Sequence, residues 1–192
     1  MKNIAFFGGS FDPIHFGHIN LAIQILETLK LDKILFCPAN ITPFKIKNPP
    51  IANGVDRFEM LKVAIQDYKN FEITDFEIKN ECISYTIDTL MEIENSDNLR
   101  LIITEEALVN FHKWKDYKNI LKIAPLIVGV RNKFLNEFKS ENFTLSNKNF
   151  VKTNIFEISS TEIRKRLKNH KICSHLIPTK TLDYIYKRKL YL

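Results

Sequence analysis

Lys2-Asn3-Ile4-Ala5-Phe6-Phe7-Gly8-Gly9-Ser10-Phe11-Asp12-Pro13-Ile14-His15-Phe16-Gly17-His18 is the stretch that decides the fold. Residues 2–7 are a compact, mainly apolar run ending on a glycine pair. They read as a short buried strand followed by a turn whose glycines can take backbone angles that other residues avoid. From Phe16 the period becomes helical, with Ile19, Ala22, Ile23, Leu26 and Leu29 on one broad apolar face, and residues 33–37 (KILFC) read as the next strand. The result is a β-loop-α-β unit.

The same alternation continues outward. Helical patterns run over 55–68 and 84–94, the latter with Ser84 suited to an N-cap and Ile87, Leu90 and Met91 toward the core. A strand follows at 99–103, a helical region at 105–123 and a strand at 125–130. A polar stretch over 138–152 reads as a long loop, 153–158 as a last strand, and 160–169 and 179–189 as helices, the second with Leu182, Ile185 and Tyr186 on one side. Alternation of this kind predicts an α/β fold, a doubly wound parallel sheet with helices on both faces, in one domain spanning 1–192.

The chain of 192 residues is 45% hydrophobic and 26% charged, enough for one sizeable core. The longest apolar stretch, 124–130, is far short of the roughly 20 residues a membrane span needs. Residues 1–10 lack the features of a secretory signal, so a cytoplasmic location is expected. The three cysteines, Cys37, Cys82 and Cys173, show no CxxC spacing and read as small core residues, not as a disulfide framework or zinc site. The net charge of +6 is uneven: residues 164–192 hold nine Lys/Arg against one Asp, leaving the rest slightly acidic.

His15 and His18 stand one helical turn apart where the first strand's C-terminal edge meets a helix start. Ligands of parallel α/β sheets bind at that edge, and a helix N-terminus offers N–H groups and partial positive charge to an anion. Either residue alone would read as a surface histidine of a tight turn; the pair points to phosphate. The segment is neither a Rossmann GxGxxG nor a Walker A loop.

GGSFDPIHFGH closely resembles the GG(T/S)FDPxHxGH form of the bacterial nicotinate-nucleotide adenylyltransferases, within the (H/T)xGH nucleotidyltransferase superfamily. The resemblance implies a Rossmann-like fold of the nucleotidyltransferase type. It also implies transfer of a nucleotidyl group from a nucleoside triphosphate to a phosphate with release of pyrophosphate, without a covalent enzyme intermediate. His15 and His18 would be catalytic, and Gly8, Gly9, Ser10, Phe11 and Gly17 would belong to the ATP site. Mg²⁺ would be bound through the ATP phosphates, with no metal site built by the protein alone.

Further motifs extend the resemblance over nearly the whole chain. Ile158-Ser159-Ser160-Thr161-Glu162-Ile163-Arg164 has the spacing of a capping box at Ser159 and Glu162. It is similar to the family's ISST(x)IR motif, which places Ser159, Ser160 and Arg164 on the β- and γ-phosphates. Ser84-Tyr85-Thr86-Ile87-Asp88-Thr89-Leu90 resembles the SYTxDTL motif, and Thr86 would meet the pyridine carboxylate. Trp114, the only tryptophan, matches the family residue that stacks on the pyridine ring, although a lone Trp is ordinarily a core residue. Lys45 matches a basic loop residue placed near substrate phosphate, and Glu106 and Arg131 fall at nucleotide-side positions. Arg57 reads as a structural or supporting residue. Residues 176–191 resemble the family's C-terminal helix, with Lys187, Arg188 and Lys189 on a solvated basic face.

The match departs at Ile103-Thr104-Glu105-Glu106, where the family has Ile-Gly-Ala-Asp, at Phe44 in place of His, and at Asn132-Lys133 in place of Pro-Gly. These changes bear on adenosine-side binding. The resemblance therefore implies an adenylyltransferase acting on ATP and nicotinate mononucleotide to give deamido-NAD and pyrophosphate. The alternatives are the same chemistry on nicotinamide mononucleotide or phosphopantetheine, or a weakly catalytic nucleotide-binding relative. No membrane or nucleic-acid partner is called for, and a homo-oligomer is left open.

Overall fold

In a computed structural model, which describes residues 2–80, 82–93, 98–130, 137–154 and 156–192, the opening stretch runs from β1 (Asn3–Gly9) into α1 (Phe16–Leu29) and β2 (Lys33–Pro38). There follow α2 (Gly54–Ile65), β3 (Phe71–Ile73), α3 (Phe76–Lys79), α4 (Thr86–Ile93), β4 (Asn98–Thr104) and α5 (Glu105–Val109). The chain continues through α6 (Tyr117–Ile123), β5 (Leu126–Val130), β6 (Glu137–Lys139), β7 (Thr144–Ser146), β8 (Phe150–Lys152), α7 (Ser160–Lys168) and α8 (Thr179–Arg188). Six strands make one sheet of order β3-β2-β1-β4-β5-β8. The pairs β1–β4, β4–β5 and β5–β8 are parallel. Every residue of β5 is buried, as a strand covered on both faces requires. The architecture is the expected Rossmann-like parallel sheet surrounded by helices.

Two compact units share the chain. One contains Met1–Phe7, Leu21–Leu35 and Tyr85–Ile155. In it, a Cβ added at Gly129 would run into the end of the Leu21 side chain, so glycine at that point of β5 leaves Leu21 the room it fills. The other contains Gly8–Asn20, Phe36–Ser84 and Phe156–Leu192. Its interior includes Phe11, Ile14, Phe36, Met60, Leu61, Ile163 and Ile185, all buried. Among the described residues no helix is long and apolar enough to cross a membrane.

Several local expectations are corrected. The last sheet strand is β8 at Phe150–Lys152, not 153–158, and the supposed loop over 138–152 holds a hairpin of β6 and β7 followed by a 3-10 turn. The helical region 105–123 is broken into α5, a 3-10 turn at Phe111–Lys113 and α6. Met91 is 57% exposed and Tyr186 48%, because α4 and α8 bury narrower faces than their apolar residues suggest. Cys37 and Cys173 are buried, but Cys82 is exposed. Ser84 does not cap α4; its hydroxyl accepts from the Asn40 amide at 2.9 Å.

Candidate active site

The loop after β1 turns without help from its glycines. None of the glycines has a positive φ; the left-handed residue is Phe11, at φ 45°. What Gly9 and Gly17 supply is room. A Cβ at Gly9 would come within 3.1 Å of the Phe11 ring, and one at Gly17 within 2.9 Å of His15 Nδ1. Glycine in the His-Phe-Gly-His segment therefore lets the His15 ring lie flat against the start of α1. There it stacks on His18, with centroids 3.7 Å apart and planes at 25°. Phe11 meets the His18 ring edge-on at 5.1 Å. Gly8 is exposed at the end of β1.

The C-terminal motif folds directly onto this loop. Ser159 caps α7 by accepting from the Glu162 amide at 3.1 Å, the cap expected from the sequence. The next residue, Ser160, donates its hydroxyl to the Pro13 carbonyl at 2.9 Å, so its side chain is occupied by the loop. Arg164, one turn on, donates to the Asp12 carbonyl at 2.6 Å and lies 3.5 Å from the Asp12 carboxylate. Two motifs separated by most of the chain thus form one constellation. Lys45 completes it by donating to Ser10 Oγ at 3.0 Å.

Charge in this constellation is mostly positive. Lys45 is held below the ordinary lysine pKa, first by burial and also by Arg164 and Arg57, against an opposing pull from Asp12. His18 lies well below the usual histidine value because of burial first, then His15 and Lys45. It is accordingly neutral near pH 7 and offers a hydrogen bond without a full charge.

Arg57 holds the surrounding chain together. It is 1% exposed and its guanidinium donates to the carbonyls of Ser10, Ala39, Asn40 and Ala52. The structural role read from the sequence is borne out. Asp12, Asp56, Tyr184 and Tyr191 escaped that reading. Asp56 accepts from Tyr184 at 2.8 Å and from Arg188 at 3.2 Å, so Arg188 is not merely part of a solvated basic face. Only the position of Asp12 inside the loop motif could have singled it out.

Thr86 and Trp114, expected from the sequence on the acceptor side, lie in the other unit. Thr86 is the first residue of α4, and Trp114 ends the Phe111–Lys113 turn, packing on buried Phe111 with centroids 5.2 Å apart. Lys115 joins the two segments: its ammonium pairs with Asp88 at 2.9 Å and lies 4.5 Å over the Tyr85 ring. Thr104, where the resembling family has glycine, has φ −92° and caps α5 by accepting from the Ala107 amide. That backbone does not need glycine. Glu106 is exposed in the first turn of α5, and Arg131 lies outside the described residues.

A family model described as cytidylyltransferase-like matches residues 6–166. A protein of Hydrogenobaculum sp. named "Probable nicotinate-nucleotide adenylyltransferase" is 42% identical over 98% of this chain and 97% of its own length. The chain belongs to the nicotinate-nucleotide adenylyltransferase family. A second family member of the same name, from Methylacidiphilum infernorum, is 36% identical over 98% of this chain and 92% of its own. Among solved structures, Plasmodium falciparum nicotinic acid mononucleotide adenylyltransferase complexed with NaAD aligns at TM-score 0.72. It covers 100% of this chain and 98% of that one at 20% identity, a likeness that bears on the fold.

Proposed function

We propose that this chain, acting as one nucleotidyltransferase domain, joins the 5′-phosphate of nicotinate mononucleotide to the α-phosphorus of ATP. A phosphate oxygen of the mononucleotide forms a bond to that phosphorus, the bond to the β-phosphate oxygen breaks, and deamido-NAD and pyrophosphate leave. The observation that carries this reading is the union of the two anion-binding motifs through Ser160–Pro13 and Arg164–Asp12. One centre then offers the start of α1, the start of α7, Lys45 and Arg164 to a triphosphate.

The residues take distinct parts in the proposal. Arg164 and Lys45 bear the charge of the phosphates, His15 and His18 hydrogen-bond the oxygens around the α-phosphorus, and Gly8, Gly9, Ser10, Phe11 and Gly17 bring the backbone close. The amides at Ser159 and Ser160 meet the terminal phosphates, while Glu106 and Arg131 serve the adenosine side. Thr86 and Trp114 receive the pyridine carboxylate and ring. Catalysis of this kind is positioning plus electrostatics, with little covalent work for the protein.

The proposal takes Mg²⁺ as held by the phosphate oxygens and water, ligands that suit this hard cation. When bound, the ion would neutralise phosphate charge.

The test is pyrophosphate release from ATP and Mg²⁺ with a panel of acceptors: nicotinate mononucleotide, nicotinamide mononucleotide and phosphopantetheine. The expected result is turnover with nicotinate mononucleotide well above the others. Trp114→Ala should raise KM for that acceptor about tenfold, the order of a lost aromatic stack, and leave KM for ATP unchanged. Folded protein that releases no pyrophosphate with nicotinate mononucleotide sinks the proposal.

A further inference from the structure

Asp12 is a carboxylate set inside an otherwise cationic site, and it is 5% exposed. Its Oδ2 accepts from the Ile51 amide at 2.8 Å, and its Oδ1 from the Ala52 amide at 3.1 Å. Oδ1 also accepts from the Tyr191 hydroxyl at 2.6 Å, the shortest of these bonds. Arg164 lies beside it at 3.5 Å, a loose separation for an ion pair. Two peptide amides and one phenol therefore hold this anion where it touches Arg164 without closing on it.

The arrival of Tyr191 is itself prepared. α8 is anchored by Tyr184 and Arg188 on Asp56 and by the Thr181 hydroxyl on the Met60 carbonyl at 3.2 Å. Past the helix, Lys189 has φ 52° and Tyr191 φ 62°. Lys189 takes the left-handed conformation of an ordinary helix C-cap, its amide and that of Leu190 donating to the Tyr186 and Ile185 carbonyls at 3.2 and 3.0 Å, whereas Tyr191 takes it outside any cap, at a cost for a non-glycine residue. The path ends on Asp12. Burial, and then the bond to Asp12, push the Tyr191 phenol far above its ordinary pKa, so it remains a donor throughout the working range.

We propose that Tyr191 is a positioning residue for the triphosphate site: its hydroxyl keeps Asp12 on the 51–52 amides and so limits how far Arg164 is drawn away from the nucleotide. The proposal rests on the reading that this site takes the triphosphate of ATP. Without the hydroxyl, Asp12 loses a strong donor in a buried place, and Arg164 is the nearest group that can compensate. Arg164 would close on Asp12 and give up part of its grip on phosphate.

Tyr191→Phe removes one oxygen and keeps the ring. Steady-state kinetics on the full chain should show KM for ATP raised about tenfold, the scale of one charge-assisted bond, with KM for nicotinate mononucleotide changed less than twofold. Tyr184→Phe is the counterpart, because it removes the same type of bond from Asp56. It should lower the melting temperature while leaving the ratio of the two KM values as in the parent.

A Tyr191→Phe variant with both KM values unchanged, or with both raised alike as a structural defect would raise them, overturns the proposal. If the parent protein shows no turnover, the functional reading fails instead, and calorimetric titration with ATP makes the same comparison: affinity falls about tenfold in Tyr191→Phe or the proposal is wrong. Should Tyr191→Phe fail to fold, the same measurements are made on Lys189→Gly and Lys189→Gly/Tyr191→Phe, since glycine favours the left-handed conformation that Lys189 holds.

Discussion

The region around the first loop and the region around Trp114 are held together by different means. In the first, hydrogen bonds join residues far apart in the chain: Ser160 to Pro13, Arg164 and Tyr191 to Asp12, and Arg57 to the carbonyls of Ser10, Ala39 and Asn40. In the second, Phe111, Trp114, Tyr117, Phe138 and Phe143 pack as rings, and the polar tie is an ion pair near half exposure at both ends. A highly charged phosphate chain requires donors fixed before it arrives, because their reorganisation would cost what the electrostatics gain. A flat heterocycle requires only a face of the right size, and ring packing tolerates small shifts.

This contrast is sharpest at Arg57. Arg57→Met keeps the volume but strips donors from the carbonyls of Ser10, Ala39, Asn40 and Ala52 in one step. Removing one partner from a buried charged network costs about 3–5 kcal/mol. Chemical denaturation of the variant should show a loss of that size, with the two histidines no longer held in register. A loss below about 1 kcal/mol would mean that water or backbone shifts satisfy those carbonyls, and that the region around the first loop is no more preorganised than the aromatic one.

The difference between the regions also explains what the sequence could reveal. β1, the helix start at Phe16 and the Ser159 cap each have a local signature, an apolar run, a change of period or a cap residue three before its amide partner. The two motifs that meet at the first loop were legible for the same reason, and their joining through Pro13 and Asp12 was not, because one hydroxyl meeting one carbonyl across the chain leaves no pattern in either neighbourhood. β8 was misplaced by three residues and the hairpin of β6 and β7 read as loop, since strands of three residues are too short to show alternation. The role given to Gly8 and Gly9 as conformationally free residues failed differently. Glycine at position 9 leaves the space that the Phe11 ring takes up, and a missing side chain looks the same in sequence whether the reason is angle or volume.

Protonation offers a second way to test the contrast, smaller than the loss of Arg57. The folded state holds the His18 pKa well below 6.5, by burial and then by His15 and Lys45. An unfolded chain would take up the proton near pH 6.5, so the unfolded state binds more protons just below that value. Stability is therefore full above about pH 6.5 and declines as pH falls from there through the depressed folded value. A triphosphate placed beside His18 opposes the effect of Lys45 and raises that pKa. ATP binding at pH 6 should consequently take up a fraction of a proton, seen as a binding enthalpy that depends on the ionisation enthalpy of the buffer. The uptake should vanish in His18→Asn. Uptake that persists unchanged in this variant would place the titrating group elsewhere and weaken the assignment of His18 to the phosphates.

The smallest expected effect lies on the aromatic side. Lys115 bonds both oxygens of Asp88, at 3.0 and 2.9 Å, and covers the Tyr85 ring, a geometry that looks strong. The side chains are nevertheless 49% and 51% exposed, and an exposed pair is worth about 0.2–1 kcal/mol after side-chain entropy and salt screening. Lys115→Met keeps most of the stem that packs on Tyr85 and removes only the charge. It should lower stability by less than about 1 kcal/mol and raise KM for nicotinate mononucleotide no more than about threefold, the equivalent of a weak surface contact. KM for ATP should not change. A tenfold rise in the acceptor KM would show that the ammonium itself orders Trp114 against α4. The aromatic region would then be preorganised by charge as the region of the first loop is, and the distinction between the two would hold for the number of bonds but not for their kind.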